Sequence, residues 1–425
     1  MSTECRSSNK PKFATEPRCL VWYLHEVSWK GKIAKGLWGR DRGDPPNNAT
    51  GYGKLERCLA LTIAMVAVKY VPELDGIRAL AVWIVMLFHA GVPLMEGGWV
   101  GVDVFFVLSG FLVTTLLLAE EERHHRVSLG SFWMRRMLRL LPAYYLYLLP
   151  ITIFFVSTVS FDGAHGDWTA TSFLLSLWAY FSNFAPQGGL WEYQFLVRHL
   201  WSLAVEQQFY LLLCLLYLLA RRIGVSLATC LLGFLILASI VSHAGILPGV
   251  EKLSLFGRGI SLIIGCIVAY YSPKLVLVMQ SRALTVLHIF GICGALVLIL
   301  ATLYRSQFTA MEEFGRVTLI SLSLYTTLAI ATAGFWYGWS EFGSAILRNR
   351  ILVSAGKISY GIYVYHMAVW GLIFQVLVEY LEPSSSIYVN FGLKLIIYFI
   401  ITHLIAAISY RYVERRFLMM KRREG

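Results

Sequence analysis

Ten apolar blocks of about 20 residues recur along this sequence, and they restrict its fold more than any other feature. As a helix, a block of that length spans about 30 Å, the thickness of the hydrocarbon core of a bilayer. Charged residues make up only 15% of the chain, whereas ordinary globular domains contain about 25%. The sequence therefore predicts an all-α, polytopic membrane protein with about ten transmembrane helices.

The distribution of basic residues tests that number. We place the spans at 74–95, 98–119, 138–158, 199–219, 227–247, 253–271, 284–304, 317–337, 357–378 and 389–410. With the segment before the first span placed in the cytoplasm, the later cytoplasmic loops and the tail carry 16 Lys and Arg, and the outer loops carry 4. Because Lys and Arg accumulate in cytoplasmic loops, this asymmetry favours ten spans with both termini in the cytoplasm.

The large outer loop at 159–198 contains an apolar stretch at 172–185 that is too short to span, so we predict an interfacial or re-entrant segment there. Aromatic residues in this loop either stack on sugar rings or anchor the loop at the membrane interface. They are Trp168, Trp178, Tyr180, Trp191 and Tyr193.

The residues before the first span differ from the rest. Residues 1–57 contain 11 Lys and Arg and 6 Asp and Glu, without sustained periodicity. We predict a cytoplasmic extension at 1–70, a transmembrane domain at 71–413 and a basic cytoplasmic tail at 414–425. The extension is either disordered or the result of a start assigned too early, with the true start at Met65.

Charge and cysteine usage argue against two kinds of binding site. The net charge of +12 lies mostly in short segments between apolar blocks, which is typical of membrane topology and not of a nucleic-acid surface. The seven cysteines form no C-x-x-C pair and show no metal-ligand spacing. We therefore expect no nucleic acid, no metal site and no disulfide.

Ionisable residues inside the predicted spans are the first candidates for function, because charge is costly in a membrane. Arg78 and His89 lie on one face of the first span, roughly 16 Å apart at about 1.5 Å per residue. A buried histidine suits general-base chemistry, since its reference pKa lies near neutrality. A structural histidine bonded to a neighbouring carbonyl is the alternative.

Arginines at the start of the third span form a second candidate group. Arg136 and Arg139 are three residues apart on one helical face, and Arg135 lies beside them. Paired guanidinium groups can grip phosphates in a fork geometry. Ordinary anchoring of basic residues at the cytoplasmic face is the competing interpretation.

Glu206 is the third candidate, because a carboxylate embedded in the fourth span needs a partner such as an Arg or a His. His199 lies two turns earlier on the same helical face. We expect the remaining polar side chains of the spans to line a pocket, and these are Asp103, Ser109, His199, Arg258 and His366.

Five motifs carry a resemblance to a known family. In chain order they are LDGIRALAV with a following FH, GGWVGVDVFFVLSGFL, FWMRRMLRLLPAYY, HLWSLAVEQQFYLL and GKISYGIYVYH. Their order and spacing resemble the acyltransferase 3 family of bacterial membrane O-acyltransferases, from residue 74 to about residue 366. The C-terminal motif SYRYVERRF also fits that family.

The resemblance implies a multi-pass protein of the bacterial inner membrane that transfers an acyl group, expected to be acetyl, from cytoplasmic acyl-CoA. The acceptor would be a hydroxyl of an extracytoplasmic glycan such as O-antigen, exopolysaccharide or peptidoglycan, and no cofactor would be tightly bound. His89 would be catalytic, assisted by Arg78 and Glu206. The arginine group at 135–139 would bind the acyl-CoA.

Three alternatives stay open within this interpretation. Some members of the family carry an SGNH esterase-like domain, and we expect this chain to be the stand-alone form. Acceptor delivery then rests on the helical bundle alone or on a separate periplasmic partner protein. His89 is either the base for the acceptor hydroxyl or the carrier of a transient acyl group. A transporter or flippase for a lipid-linked sugar or another polar solute is the alternative function, because buried Arg, Glu and His suit it equally.

Overall fold

The computed structural model describes residues 70–158, 164–165, 168–185, 194–244, 255–304, 319–380 and 387–420. This described part is almost wholly helical, which confirms the prediction of an all-α protein. Its strands are limited to one antiparallel pair of two-residue segments. Except for Tyr70, the predicted extension at 1–70 lies outside the described residues, as do the last five residues of the predicted tail.

The described elements follow one another along the chain in a fixed order. They are α1 Pro72–His89, α2 Val100–His124, α3 Leu129–Thr158, β1 Ala164–His165, β2 Trp168–Thr169, α4 Ala170–Trp178, α5 Phe195–Arg198, α6 Trp201–Ile223, α7 Leu227–Ala244, α8 Gly259–Val278, α9 Ser281–Tyr304, α10 Leu319–Tyr337, α11 Ser344–Leu347, α12 Arg350–Lys357, α13 Ser359–Tyr380, α14 Ile387–Ser409 and α15 Arg415–Met420. A 3-10 turn at Ser182–Phe184 follows α4, and a π-helical turn at Tyr410–Glu414 joins α14 to α15.

Each of the ten predicted spans overlaps one helix of at least 18 residues, the shortest being α1 and α7. Six helical stretches of the described chain are long and apolar enough to cross a bilayer: Val100–His124, Leu129–Thr158, Phe195–Ile223, Gly259–Val276, Ser281–Leu303 and Val389–Met420. The helix α1 is not among them, because Glu73, Asp75 and Arg78 place three charges in its first two turns. The protein is thus a multi-pass membrane protein, and the number of ten spans stays a prediction.

Glycine sets the distance between α2 and its two neighbours. A Cβ added to Gly110 would lie 2.0 Å from the carbonyl oxygen of Leu262 in α8. A Cβ added to Gly101 would lie 2.4 Å from the carbonyl oxygen of Ala81 in α1. Small residues allow backbones of membrane helices to approach closely, and the glycines of α2 serve this purpose against α1 and α8.

We expect Gly110→Val to destabilise the fold by about 1–3 kcal/mol or more, because the added carbons can only be accommodated if α2 and α8 move apart. Thermal unfolding of the detergent-solubilised protein, followed by fluorescence-detected size-exclusion chromatography, measures this effect. Gly233→Val in α7 is the matched control, since a Cβ there meets no atom within 4 Å. Equal unfolding midpoints for the two variants would contradict the packing argument.

The apolar stretch of the outer loop forms the nine-residue helix α4, about 14 Å long at 1.5 Å per residue, which is too short to span. The ring of Trp178 stacks on Tyr145 at a centroid distance of 5.3 Å, and its Nε1 donates to Thr152 Oγ1. Tyr180 stacks on Tyr144 at 4.3 Å. These two loop aromatics therefore contact α3. The predicted aromatics at 191 and 193, and the side chain at 168, lie outside what the structure describes.

Candidate active site

A cavity of about 750 Å³, part of it open to solvent, lies between α1, α2, α3, α6 and α13. Its charged lining residues are Arg78, Arg136, Arg139 and Glu206. Its other lining residues are Val102, Phe105, Phe106, Ser109, Leu112, Leu140, Ser202, Leu203, Tyr210, Ser359, Tyr360 and Tyr363. Five candidates from the sequence thus meet at one site, and they are Arg78, Ser109, Arg136, Arg139 and Glu206.

The guanidinium of Arg78 is held in the cavity wall by its own helix. Its Nη1 donates to Asp75 Oδ1 at 3.1 Å, and the hydroxyl of Tyr70 donates to the other carboxylate oxygen at 2.7 Å. A Cβ on Gly356 would lie 1.9 Å from the carbonyl oxygen of Asp75, so α12 packs directly against the first turn of α1. This packing fixes the end of α1 from which Arg78 projects.

The arginine pair of α3 forms no ion pair in the described part of the chain. Arg136 is buried and Arg139 is half-buried, and neither forms an ion pair with any residue that the structure describes. The Nε atom of Arg136 is buried without a hydrogen bond to the described chain. The carboxylate of Glu206 lines the same cavity but forms no ion pair with either arginine. Because a buried cation is stabilised by a paired counter-charge, the guanidinium groups are suited to an anionic ligand.

Arg135 points to a different partner. It forms an ion pair with Glu120 at the end of α2 and is absent from the cavity lining. Arg135 lies one turn before Arg139, so helical periodicity does not separate it from the pair, and its ion pair with Glu120 is what directs its guanidinium elsewhere. Its part in the phosphate-binding group stays a prediction.

Glu206 has hydroxyl partners where a basic one was expected. Its Oε1 accepts hydrogen bonds from Ser109 Oγ of α2 and, at 2.5 Å, from the hydroxyl of Tyr210 one turn later in α6. Within the described residues it forms no ion pair. Tyr210 was not selected from the sequence, although its position four residues after Glu206 places it on the same helical face.

Three histidines from separate elements meet beside the cavity. Nε2 of His366 in α13 lies 3.2 Å from Nδ1 of His89 at the end of α1. The ring of His366 lies 4.9 Å from that of His89 and 4.8 Å from that of His199, which precedes α6. His199 and His366 are buried, and His89 keeps part of its surface exposed. We call these three residues the histidine cluster.

Tyr363 joins the cavity to the histidine cluster. Its side chain lines the cavity, and its ring lies 5.5 Å from the rings of both His199 and His366. Its hydroxyl donates to the carbonyl oxygen of His199 at 3.0 Å and lies 2.6 Å from Ser202 Oγ. Tyr363 was not among the candidates from the sequence. It lies three residues before His366, and this spacing places both side chains on one face of α13.

Asp103 and Arg258 lie away from the cavity lining. They form a buried ion pair in which Arg258 Nη1 lies 3.2 Å from Asp103 Oδ2, linking α2 to the start of α8. The guanidinium also lies over the ring of Trp99, 4.7 Å from its centroid. Removing one partner of a buried pair leaves an uncompensated charge, so this pair joins α2 and α8 in the fold.

Among the described residues, no group of three His, Cys, Asp or Glu side chains is arranged to hold a metal ion. The histidine cluster directs nitrogens toward backbone carbonyls: His366 Nδ1 lies 2.6 Å from the oxygen of Tyr363, and His199 Nε2 lies 3.0 Å from that of Val364. The arrangement therefore suits proton transfer next to a site for an anion.

Comparison with known proteins also indicates an acyltransferase. The sequence profile of a family described as an acyltransferase domain matches residues 71–411. The chain is 31% identical over 364 residues to the peptidoglycan O-acetyltransferase OatA of Listeria monocytogenes, a match that covers 81% of this chain and 55% of the relative. It is 32% identical over 363 residues to the O-acetyltransferase OatA of Staphylococcus aureus, with 82% and 57% covered.

A putative O-acetyltransferase of Staphylococcus aureus is 31% identical over 381 residues, covering 84% of this chain and 58% of that protein. The chain thus spans little more than half the length of the curated relatives that it matches. No solved structure shows a significant match to it.

Proposed function

This chain belongs to the acyltransferase 3 family, and from that premise we propose that it is an O-acyltransferase of the bacterial inner membrane. It transfers an acyl group from acyl-CoA to a hydroxyl of a cell-envelope glycan, and the acyl group we propose is acetyl. Peptidoglycan is the first acceptor to test, because one relative is named as a peptidoglycan O-acetyltransferase.

One observation carries the proposal: two arginines that form no ion pair with the described residues line the same cavity that Tyr363 joins to the histidine cluster. The arginines suit the phosphates of CoA, since charge-assisted hydrogen bonds from guanidinium to phosphate are among the strongest in proteins. The histidine cluster supplies a base at the other end of the site. An enzyme that uses a phosphorylated donor and activates a hydroxyl needs both parts.

In the proposed reaction the arginines of α3 face the cytoplasm and hold the nucleotide end of acyl-CoA. His89 removes the proton of the acceptor hydroxyl, the oxygen attacks the thioester carbonyl, the carbon–sulfur bond breaks and the thiolate of CoA takes up the proton. Arg78 stabilises the negative charge that develops on the carbonyl oxygen. In the covalent variant, His89 first takes the acyl group and the hydroxyl then removes it.

Two expectations about Glu206 and the acceptor complete this proposal. Glu206, tied to Ser109 and Tyr210, holds the wall between α2 and α6 on which the donor lies. The acceptor reaches His89 from the outer side, either directly from the membrane or through a periplasmic partner protein. Both termini lie in the cytoplasm in this arrangement.

The test is acyl transfer by the full chain in lipid nanodiscs with radiolabelled acetyl-CoA and fragments of peptidoglycan. We expect CoA release that depends on the acceptor, and label on the glycan that mild base removes as acetate. Other purified envelope polysaccharides are the parallel acceptors. Acetyl-CoA that stays intact with every acceptor, together with movement of a lipid-linked sugar across proteoliposomes, would favour the flippase instead.

A further inference from the structure

Backbone carbonyls determine where the protons lie in the histidine cluster. A carbonyl oxygen only accepts hydrogen bonds, so a ring nitrogen bonded to one carries a proton. Nδ1 of His366 lies 2.6 Å from the oxygen of Tyr363, and Nε2 of His199 lies 3.0 Å from that of Val364. Both nitrogens are therefore N–H donors.

The other nitrogen of His366 is then an acceptor. No described acidic side chain hydrogen-bonds a ring of the cluster, and a buried cation without a counter-charge is costly, so the imidazole of His366 is neutral. A neutral imidazole with Nδ1 protonated has its lone pair on Nε2. That atom lies 3.2 Å from Nδ1 of His89.

Two acceptors therefore meet Nδ1 of His89. One is the lone pair of His366, and the other is the carbonyl oxygen of Val85, one turn earlier in α1 and 3.1 Å away. Both require a proton on Nδ1 of His89, which leaves the lone pair of that ring on Nε2. Because His89 is the one member of the cluster with exposed surface, this lone pair belongs to the accessible ring.

We infer that His366 is a positioning residue that, together with the carbonyl of Val85, holds His89 in the Nδ1–H tautomer, so that Nε2 is the reactive nitrogen. The inference rests on the proposed function, in which His89 is the base or the acyl carrier. In many catalytic triads a carboxylate bonds the ring nitrogen opposite the reactive one and so fixes the tautomer of the histidine. Here the neutral imidazole of His366, aligned by the carbonyl of Tyr363, occupies the position of that carboxylate.

The inference assigns the same role to His366 in both chemical routes. When Nε2 of His89 takes the hydroxyl proton, the ring becomes an imidazolium and donates its Nδ1–H more strongly to His366. When Nε2 takes the acyl group, the same bond keeps the acylated ring in place. Loss of the acceptor therefore lowers the rate of chemistry and leaves the binding of acyl-CoA at Arg136 and Arg139 unchanged.

The test compares two substitutions in nanodiscs. His366→Phe keeps an aromatic ring but removes the acceptor, and we expect kcat to fall at least about 100-fold with little change in KM for acetyl-CoA. His366→Gln offers an amide oxygen to Nδ1 of His89, and we expect it to restore kcat to within about tenfold of the wild type. The matched control is His288→Gln, which removes a buried imidazole bonded to Ser340 and packed on Phe335, outside the cluster.

A spectroscopic measurement on the unchanged protein tests the tautomer directly. In proteoliposomes with ¹⁵N-labelled histidine, solid-state NMR separates protonated from unprotonated ring nitrogens, and the signals lost in His89→Gln identify His89. We expect Nδ1 protonated and Nε2 unprotonated in the wild type, and a larger share of the Nε2–H tautomer in His366→Phe, where the carbonyl of Val85 is left as the acceptor for Nδ1. An unprotonated Nδ1 in the wild type would overturn the inference.

The kinetic outcomes separate this inference from the proposed function. Full kcat in His366→Phe, with His89→Gln inactive, overturns the positioning role and leaves the enzyme assignment intact. Equal loss in His366→Phe and His366→Gln, with both proteins folded, also overturns it, since the acceptor would then be irrelevant. Full activity in His89→Gln would overturn both proposals at once.

Discussion

His89→Gln is expected to lower kcat for acetyl transfer by about 100-fold to 10,000-fold, the contribution that a positioned general base makes to a reaction. The glutamine side chain fills a similar volume but cannot take up a proton. KM for acetyl-CoA should change little, because His89 lies outside the cavity that contains the arginines. Initial rates of CoA release in nanodiscs, measured against acetyl-CoA concentration, give both constants.

His288→Gln serves again as the control, because it removes another buried imidazole outside the site. Rapid acid-free quenching followed by peptide mapping then distinguishes the two routes. Label on the α1 peptide of the wild type, lost in His89→Gln, supports the acyl-histidine route, whereas no label during turnover supports direct attack. A His89→Gln protein with wild-type kcat would remove His89 from the mechanism altogether.

Helical periodicity was sufficient to predict which side chains of one helix act together. The spacing of Arg136 and Arg139 predicted a shared face, and both line the cavity. The same rule does not separate Arg135 from Arg139, one turn away, and only the contact with Glu120 distinguishes that residue. The ten apolar blocks gave the order and approximate bounds of the long helices because length and hydropathy are local properties of the sequence.

Contacts between helices could not be predicted in this way. His366 is 277 residues from His89, and nothing local to either residue indicates that their rings meet. The cost of buried charge predicted that Glu206 needs a partner, but not which one, and Asp103 was expected to line a pocket. Asp103 has Arg258, whereas Glu206 has two hydroxyls, because Ser109 and Tyr210 already surround its carboxylate where α2 and α6 meet.

The site has two ends with different chemical roles, one formed by the arginines of α3 and the other by the histidine cluster. Arg136 and Arg139 have no acidic partner within the described residues, so binding an anion there breaks no existing ion pair. At the other end the histidine cluster contains no carboxylate, so its rings can stay neutral until a hydroxyl delivers a proton. Donor binding and proton transfer should therefore respond to different substitutions.

The double variant Arg136→Ala/Arg139→Ala is expected to raise KM for acetyl-CoA at least about 100-fold, since each hydrogen bond to a charged group contributes about 1.5–3 kcal/mol. Acetyl-pantetheine, which lacks the nucleotide and its phosphates, should be used equally well by the wild type and the double variant. The ratio of kcat/KM for the two donors isolates the phosphate contribution from any general damage to the fold.

Arg135→Ala is the matched control. Arg135 belongs to the same turn of α3, but it pairs with Glu120 and does not line the cavity. We expect its preference for acetyl-CoA over acetyl-pantetheine to equal that of the wild type. A double variant that keeps this preference would show that the phosphates bind elsewhere. Loss of the preference in Arg135→Ala as well would mean that basic charge near the membrane surface, and not the paired geometry, attracts the donor.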